Sequence, residues 1–213
     1  MSLEFIPDKV FKNLSTPPKQ AEYDNCMFIN CNFKEAYLSG FSFLECEFVD
    51  CDLSLTKLKD ATFKETHFKN CKMVGFPLLE CNPFLLSVKF NHCKLDLVLF
   101  NSLQLKHTTF ESCSLQQADF TGANLSFSIF NNCNLKHAIF EQTNLMSTDF
   151  RTAENFSINP QKNQLKNAKF LNFKPSYTPA LLHSNLIHQP QTIYLNIKDD
   201  VLKYEVLEPK CDS

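Results

Sequence analysis

The stretch FNNCNL, residues 130–135, decides the fold, because close copies of it return about every twenty residues. The copies are FINCNF from Phe28, FVDCDL from Phe48, FKNCKM from Phe68, FNHCKL from Phe90 and FESCSL from Phe110. Successive copies begin 20, 20, 22, 20 and 20 residues apart. A fixed period of this length is the sequence signature of a repeat architecture.

A shorter period of five lies inside each unit, since a large apolar residue stands at almost every fifth position. Neither an α-helix, with about 3.6 residues per turn, nor a strand, with a period of about two, has this spacing. Two positions before each large residue lies a mostly small one, such as Cys31, Ala61 or Thr108. A chain that points two of every five residues inward, and turns a corner every five residues, is predicted to form a square coil. Stacked coils would pair about 4.8 Å apart, as strands do in a sheet.

The pattern small-x-Leu/Phe-x-x, as in ADFTGANLSFSIF from Ala118, resembles the pentapeptide-repeat family. The pattern covers residues 26–153 and continues more weakly to Phe170. The family's fold is a right-handed, four-sided parallel β-helix, so the resemblance implies an all-β protein. Leucine-rich repeats have a Leu/Asn signature of their own, which this sequence lacks.

Four columns of large side chains follow from the spacing, one for each side of the coil. We expect each buried Phe to stabilise the stack by roughly 2–3 kcal/mol. The second column starts at Phe33 and the third at Leu38, while the fourth is interrupted between Phe63 and Leu105. The first column is a ladder of Phe28, Phe48, Phe68, Phe90, Phe110, Phe130 and Phe150.

The repeat divides the chain into four predicted parts. Residues 1–21 are expected to cap the first coil, 22–153 to form the β-helix, 154–170 to form an irregular last coil and 171–213 to form a small irregular or α/β tail. The step from Leu78 to Phe90 holds two extra residues. We interpret them as a bulge that keeps the column intact, with a binding loop as the alternative.

The C-terminal tail either caps the last coil or forms a dimer. TPALLHSNLIH is a candidate short helix, and TIYLNI and VLKYEVL are candidate paired strands. The resemblance to Qnr-like members of the family implies a homodimer through this segment. The candidate dimer or cap contacts are Leu181, Leu182, Leu186 and Ile187.

Nine of the ten cysteines fall on the small inward position, and six of them share one column. Vertical neighbours about 4.8 Å apart would allow a disulfide or a soft-metal ladder. However, Ala153 takes the same position one coil after Cys133, and parallel Cβ vectors suit a disulfide badly. We therefore predict small buried hydrophobic residues, with no metal site and no cofactor. Thiols in this number fit a reducing cytoplasm.

Composition and motifs argue against several functional classes. Only one of the 21 basic residues is Arg and the net charge is −2, so direct nucleic-acid binding is not expected. No secretory signal and no apolar run of about 18 residues stand out, which predicts a cytoplasmic protein without a membrane segment. HExxH, GxSxG and P-loop motifs are absent from the sequence. We predict no catalytic residues and no enzymatic activity.

The Qnr-like branch suggests one function, namely binding to DNA gyrase or topoisomerase IV through mimicry of DNA, with protection from quinolones. Residues 22–150 hold 15 Asp/Glu and 10 Lys, which is a net charge of −5 and weak mimicry. The two long loops of that branch are also missing here. The candidate partner-binding acidic patch consists of Glu45, Glu47, Asp50 and Asp52.

The alternative is a structural or regulatory rod that binds an unknown protein partner and has no topoisomerase activity. The distribution of surface charge separates the two hypotheses. A continuous acidic stripe along one face would favour DNA mimicry, whereas a surface of mixed charge would favour a general interaction rod.

Overall fold

The computed structural model describes residues 3–171, 192–198 and 201–207, and short strands dominate its regular structure. Two 3₁₀ turns, Leu78–Glu80 and Pro83–Leu85, interrupt them. The strands are β1 (Phe5–Pro7), β2 (Val10–Lys12), β3 (Glu22–Asp24), β4 (Met27–Ile29), β5 (Ser42–Leu44), β6 (Glu47–Val49), β7 (Thr62–Lys64), β8 (Thr66–Lys69), β9 (Val88–Asn91), β10 (Thr109–Glu111), β11 (Ile129–Asn131), β12 (Ala168–Leu171), β13 (Thr192–Lys198) and β14 (Val201–Leu207).

Parallel pairing joins each coil, meaning one circuit of about twenty residues, to the next. One sheet has the order β2-β4-β6-β8-β9-β10-β11, and a second has the order β1-β3-β5-β7. The first sheet forms the first face and the second sheet lies on the fourth face. Isolated parallel bridges, such as Asn32 with Asp52 and Leu99 with Asp119, join the coils on the second and third faces. The predicted four-sided parallel β-helix is confirmed.

Each corner is made by one residue in the left-handed backbone region. Positive φ recurs at nearly every fifth position, in 24 of the described residues other than glycine, although this conformation is uncommon in most proteins. Asn and Asp tolerate it best because their short side chains bond locally to the backbone. Asn30, Asp50 and Asn70 follow this rule, whereas Leu55 and Leu97 are exceptions.

The core consists of stacked side chains, and the Phe ladder of the first face is its spine. Neighbouring ring centroids lie 4.7–5.4 Å apart and every pair is stacked. Each ring therefore buries both of its faces against a copy of itself, except at the ends. Phe11 joins the ladder below Phe28, which the sequence did not predict, because the step between them is shorter than twenty residues. The ladder is Phe11, Phe28, Phe48, Phe68, Phe90, Phe110, Phe130, Phe150 and Phe170.

The two extra residues between Leu78 and Phe90 form a bulge that leaves the ladder intact, as expected. Phe68 and Phe90 are paired in register, and their rings are 5.4 Å apart. The bulge is a turn in which Asn82 Oδ1 accepts a hydrogen bond of 3.1 Å from the Phe84 N–H. The Phe84 side chain is 94% exposed.

Both ends of the β-helix carry further strands. β1 and β2 already stack beneath β3 and β4. At the other end β12 pairs antiparallel with β13, and β13 with β14, which confirms the strands predicted from TIYLNI and VLKYEVL. The candidate helix at 178–188 and its four contacts lie outside the described residues: Leu181, Leu182, Leu186 and Ile187. The division of the chain at 21, 153 and 170 stays a prediction.

Candidate protein-binding surface

The four residues of the predicted acidic patch lie in one coil but on two faces. Glu45 forms the corner before β6, and Glu47 points outward from β6 on the first face. Asp50 forms the next corner, and Asp52 lies on the second face. The patch is therefore divided by a corner of the β-helix into a Glu45–Glu47 pair and an Asp50–Asp52 pair.

Lysines of the following coil pair with two of these carboxylates. Lys69 Nζ lies 2.8 Å from Glu47 Oε1, and Lys72 Nζ lies 3.2 Å from Asp52 Oδ2. Partial burial would raise the pKa of Asp52, but hydrogen bonds from Ser54 and the Lys72 ammonium outweigh it and hold that pKa below its usual value. In the second half of the patch, the Asp52 carboxylate is thus already bound within the β-helix, by Ser54 at its own corner and by Lys72.

The first half of the patch borders an open cleft of about 530 Å³ at the corner between the fourth and first faces. Glu65 lies one coil above Glu45, and His67 lies one coil above Glu47. The His67 pKa is lowered, first by partial burial and then by the nearby Lys89 ammonium. The cleft is lined by Asn25, Glu45, Glu47, Glu65, His67, Ser87, Val88 and Lys89.

Sequence reasoning missed Glu65, His67 and Lys89, because it grouped the acidic residues by closeness along the chain. The twenty-residue spacing was the available signal, since it stacks residue 65 on 45 and residue 67 on 47. Two further acidic residues, Glu22 and Asp24, lie one coil below, opposite Ser42 and Leu44 on the fourth face.

The outward positions of the faces carry both signs of charge. On the second face Asp52 is followed by Lys72 and Lys94 in successive coils. On the first face Glu47 is followed by His67 and Lys89. Along the coils that the structure describes, therefore, no acidic stripe runs from end to end.

A family model described as a pentapeptide repeat region matches residues 21–83 and 84–170, which is most of the chain. This protein belongs to the pentapeptide-repeat family. No curated protein matches the sequence. The described part of the chain also has no helix long and apolar enough to cross a membrane.

Several solved pentapeptide-repeat structures are similar to this protein. Full-length QnrB1, a plasmid-mediated fluoroquinolone resistance protein, is 16% identical; the match covers 79% of this chain and 94% of that one, with a TM-score of 0.42. HetL of the cyanobacterium Nostoc sp. strain PCC 7120, which is involved in regulating heterocyst differentiation, is 18% identical; the match covers 78% and 89%, with a TM-score of 0.43. Rfr23 of the cyanobacterium Cyanothece 51142 is 15% identical; the match covers 72% and 84%, with a TM-score of 0.19.

The cysteine column of this pentapeptide-repeat protein is part of the packing. The Cys71 thiol donates to the Phe48 carbonyl at 3.3 Å, and the Cys133 thiol donates to the Phe110 carbonyl at 3.3 Å. All nine cysteines in the described residues are buried and free. Within the same residues no group of three or more His, Cys, Asp or Glu could hold a metal ion. The buried thiols therefore link successive coils through hydrogen bonds to backbone carbonyls.

Proposed function

We propose that this protein is a non-enzymatic cytoplasmic binding protein whose outer surface engages a protein partner. The observation that carries the proposal is the combination of a filled interior and a surface of mixed charge. Side chains occupy the inside of every described coil, so ligands can reach only the exterior. A mixed surface fits recognition of a protein better than it fits imitation of the uniform charge of DNA.

Burial of the free thiols supports the cytoplasmic part of the proposal. Nine unpaired cysteines in one small domain fit a compartment that keeps thiols reduced.

A type II topoisomerase, DNA gyrase or topoisomerase IV, is the first partner to test. One feature favours it, which is the acidic edge of the cleft, where Glu45, Glu47 and Glu65 stand in two successive coils. A basic DNA-binding groove of a topoisomerase would attract such an edge. The ion pair of Glu47 with Lys69 weakens this attraction, so we rank general protein binding above DNA mimicry.

The test is a gyrase supercoiling assay with the purified protein titrated in, with and without a quinolone. Rescue of supercoiling in the presence of the drug would establish topoisomerase protection. Inhibition without rescue would indicate direct competition with DNA. Absence of both effects up to tens of micromolar protein, a concentration that would saturate a partner with a Kd of about 1 μM, would leave the general binding function and reject the topoisomerase as partner.

Matched variants connect either effect to the cleft. Glu45→Lys combined with Glu65→Lys reverses the charge of its acidic edge, and both positions are exposed. Glu154→Lys makes a similar change at an exposed position on the second face, so it serves as the control. If the cleft binds the partner, the double variant loses the effect and the control keeps it. Equal behaviour of the two variants would place the binding surface elsewhere.

A further inference from the structure

The third face of the β-helix exposes an unusual number of large apolar side chains. Tyr37 is 76% exposed, Leu99 50% and Ile139 45%. At the adjoining corner, Leu55 and Leu97 are 47% and 51% exposed. Charged residues alternate with these apolar side chains along the face, a mixture that is common in protein interfaces.

The two corner leucines also lie in the left-handed backbone region. Leu55 has φ 56° and Leu97 has φ 62°, a conformation that favours Gly, Asn and Asp over residues with a larger side chain. The neighbouring corners in the same column use Glu35, Gln117 and His137, which are polar. Positive φ is common to all these corners, so what distinguishes Leu55 and Leu97 is the exposure of an apolar side chain, which contacts formed on association would bury.

Two charged residues on the third face have no partner of opposite charge in the described residues. Lys57 and Asp119 both lie outside the ion pairs of the β-helix. Each belongs to the column of outward residues, Lys57 above Tyr37 and Asp119 between Leu99 and Ile139. Parallel bridges join Tyr37 to Lys57, and Leu99 to Asp119 and Ile139. Pro77, which precedes the 3₁₀ turn Leu78–Glu80, lies between the two groups by its spacing in the sequence. We call the whole set the third-face column: Tyr37, Lys57, Pro77, Leu99, Asp119 and Ile139.

We propose that two copies of this chain pair antiparallel through their third faces. The two-fold axis lies in the interface, perpendicular to the axis of the β-helix, and passes between the coils of Pro77 and Leu99. It therefore places each column of one copy opposite the same column of the other copy, in reverse order. Pro77 then lies opposite Leu99 of the second copy. One coil further out Lys57 lies opposite Asp119, and the outermost pair is Tyr37 with Ile139. Every residue of the column gains a complementary neighbour, and each contact occurs twice.

In the same register the adjoining corner column places Leu55 opposite Gln117 of the second copy. Leu97 falls opposite Gly75 of the second copy. A Cβ at Gly75 would lie 2.9 Å from Leu55 Cδ2, so the Leu55 side chain covers this glycine, and Leu97 of the second copy would meet that side chain there. Glu35 falls opposite His137. A parallel pairing would instead bring Lys57 against Lys57 and Asp119 against Asp119, which repel.

The area of the third-face column and its adjoining corner determines how strong an association we expect. Six coils span five steps of about 4.8 Å, hence about 24 Å, and the face is only a few residues wide. This area is below that of a standard stable interface, so we expect a reversible dimer that forms in the micromolar range or above.

The proposal is tested by sedimentation equilibrium of the full chain under reducing conditions. The unmodified chain is compared with variants in which the charge of Lys57 or of Asp119 is reversed. We expect a concentration-dependent dimer, whose dissociation constant rises about tenfold or more in Lys57→Glu and again in Asp119→Lys, because each variant creates two like-charge contacts. An equimolar mixture of the two variants restores both opposite-charge contacts. The mixture should therefore associate as a heterodimer about as well as the unmodified chain does.

Controls separate this result from misfolding and from other dimers. Lys106→Glu makes the same charge change at an exposed lysine on the fourth face, and it should dimerise like the unmodified chain. Asp119→Lys also removes the 2.8 Å hydrogen bond from the Thr121 N–H, so its fold is checked by circular dichroism. Leu99→Glu, at a half-exposed position, tests the same interface without that loss.

Three results would overturn the proposal. The unmodified chain could remain monomeric up to about 300 μM, a range in which weak interfaces still associate. A dimer could persist unchanged in Lys57→Glu, Asp119→Lys and Leu99→Glu, which would assign it to another surface such as the C-terminal tail. The mixture of the two charge variants could also fail to associate although both are folded.

Discussion

At the scale of the residue, the buried thiols couple stability to pH. Burial raises the pKa of Cys46 to about 12, from an ordinary value of 9.0. Above about pH 9 the thiol ionises in the unfolded chain but stays protonated in the folded one, so the free energy of unfolding falls as the pH rises. Cys46 should contribute about 1.4 kcal/mol per pH unit to this fall.

Replacement of Cys46 by Ala isolates that contribution. Urea unfolding under reducing conditions, from pH 8 to pH 11, should show a smaller loss of stability per pH unit in Cys46→Ala than in the unmodified chain. Other groups that titrate in this range, such as lysines, are common to both proteins and cancel in the difference. Below pH 8 the difference between the two should not change with pH, and parallel curves above pH 9 would contradict burial of this thiol.

At the scale of the element, the turn between Leu78 and Phe90 separates exposed from structural aromatic residues. Phe84→Ala should change the free energy of unfolding by less than about 0.5 kcal/mol, because its ring is 94% exposed. Phe90→Ala, six positions later in the chain, should cost about 3–5 kcal/mol, since Phe90 is fully buried between Phe68 and Phe110. Chemical denaturation of the two variants measures the contrast directly, and a large cost for Phe84→Ala would mean that the turn packs against the core.

The same element shows how far sequence reasoning could go. The five-residue period was enough to place the Phe ladder from Phe28 to Phe150, because one rule of packing acts on every coil. It could not place Phe11, since β2 enters the stack after a step shorter than a repeat. The cleft was also missed, because its charges meet across coils through stacking, whereas the prediction joined neighbours along the chain. Periodicity therefore determines the core, and the surface needs the register in three dimensions.

At the scale of the whole molecule, the β-helix is a one-dimensional stack, so the cost of a defect depends on where it lies. Phe110 has a stacked ring on either side, at 5.4 Å and 4.7 Å, whereas Phe11 has a stacked neighbour only at Phe28, at 4.9 Å. Phe110→Ala should therefore cost about 3–5 kcal/mol. Phe11→Ala should cost roughly half as much, because Phe11 is only partly buried.

Hydrogen exchange should show the same asymmetry as a spatial pattern. Loss of the Phe11 ring removes contacts at one end of the stack, so exchange should accelerate in β1 to β4 and stay unchanged in β10 and β11. Loss of the Phe110 ring weakens the middle of the stack, so protection should fall on both sides of β10. If Phe11→Ala instead accelerated exchange equally along all the strands, the coils would unfold as one cooperative unit, and the end of the stack would be as important to stability as its centre.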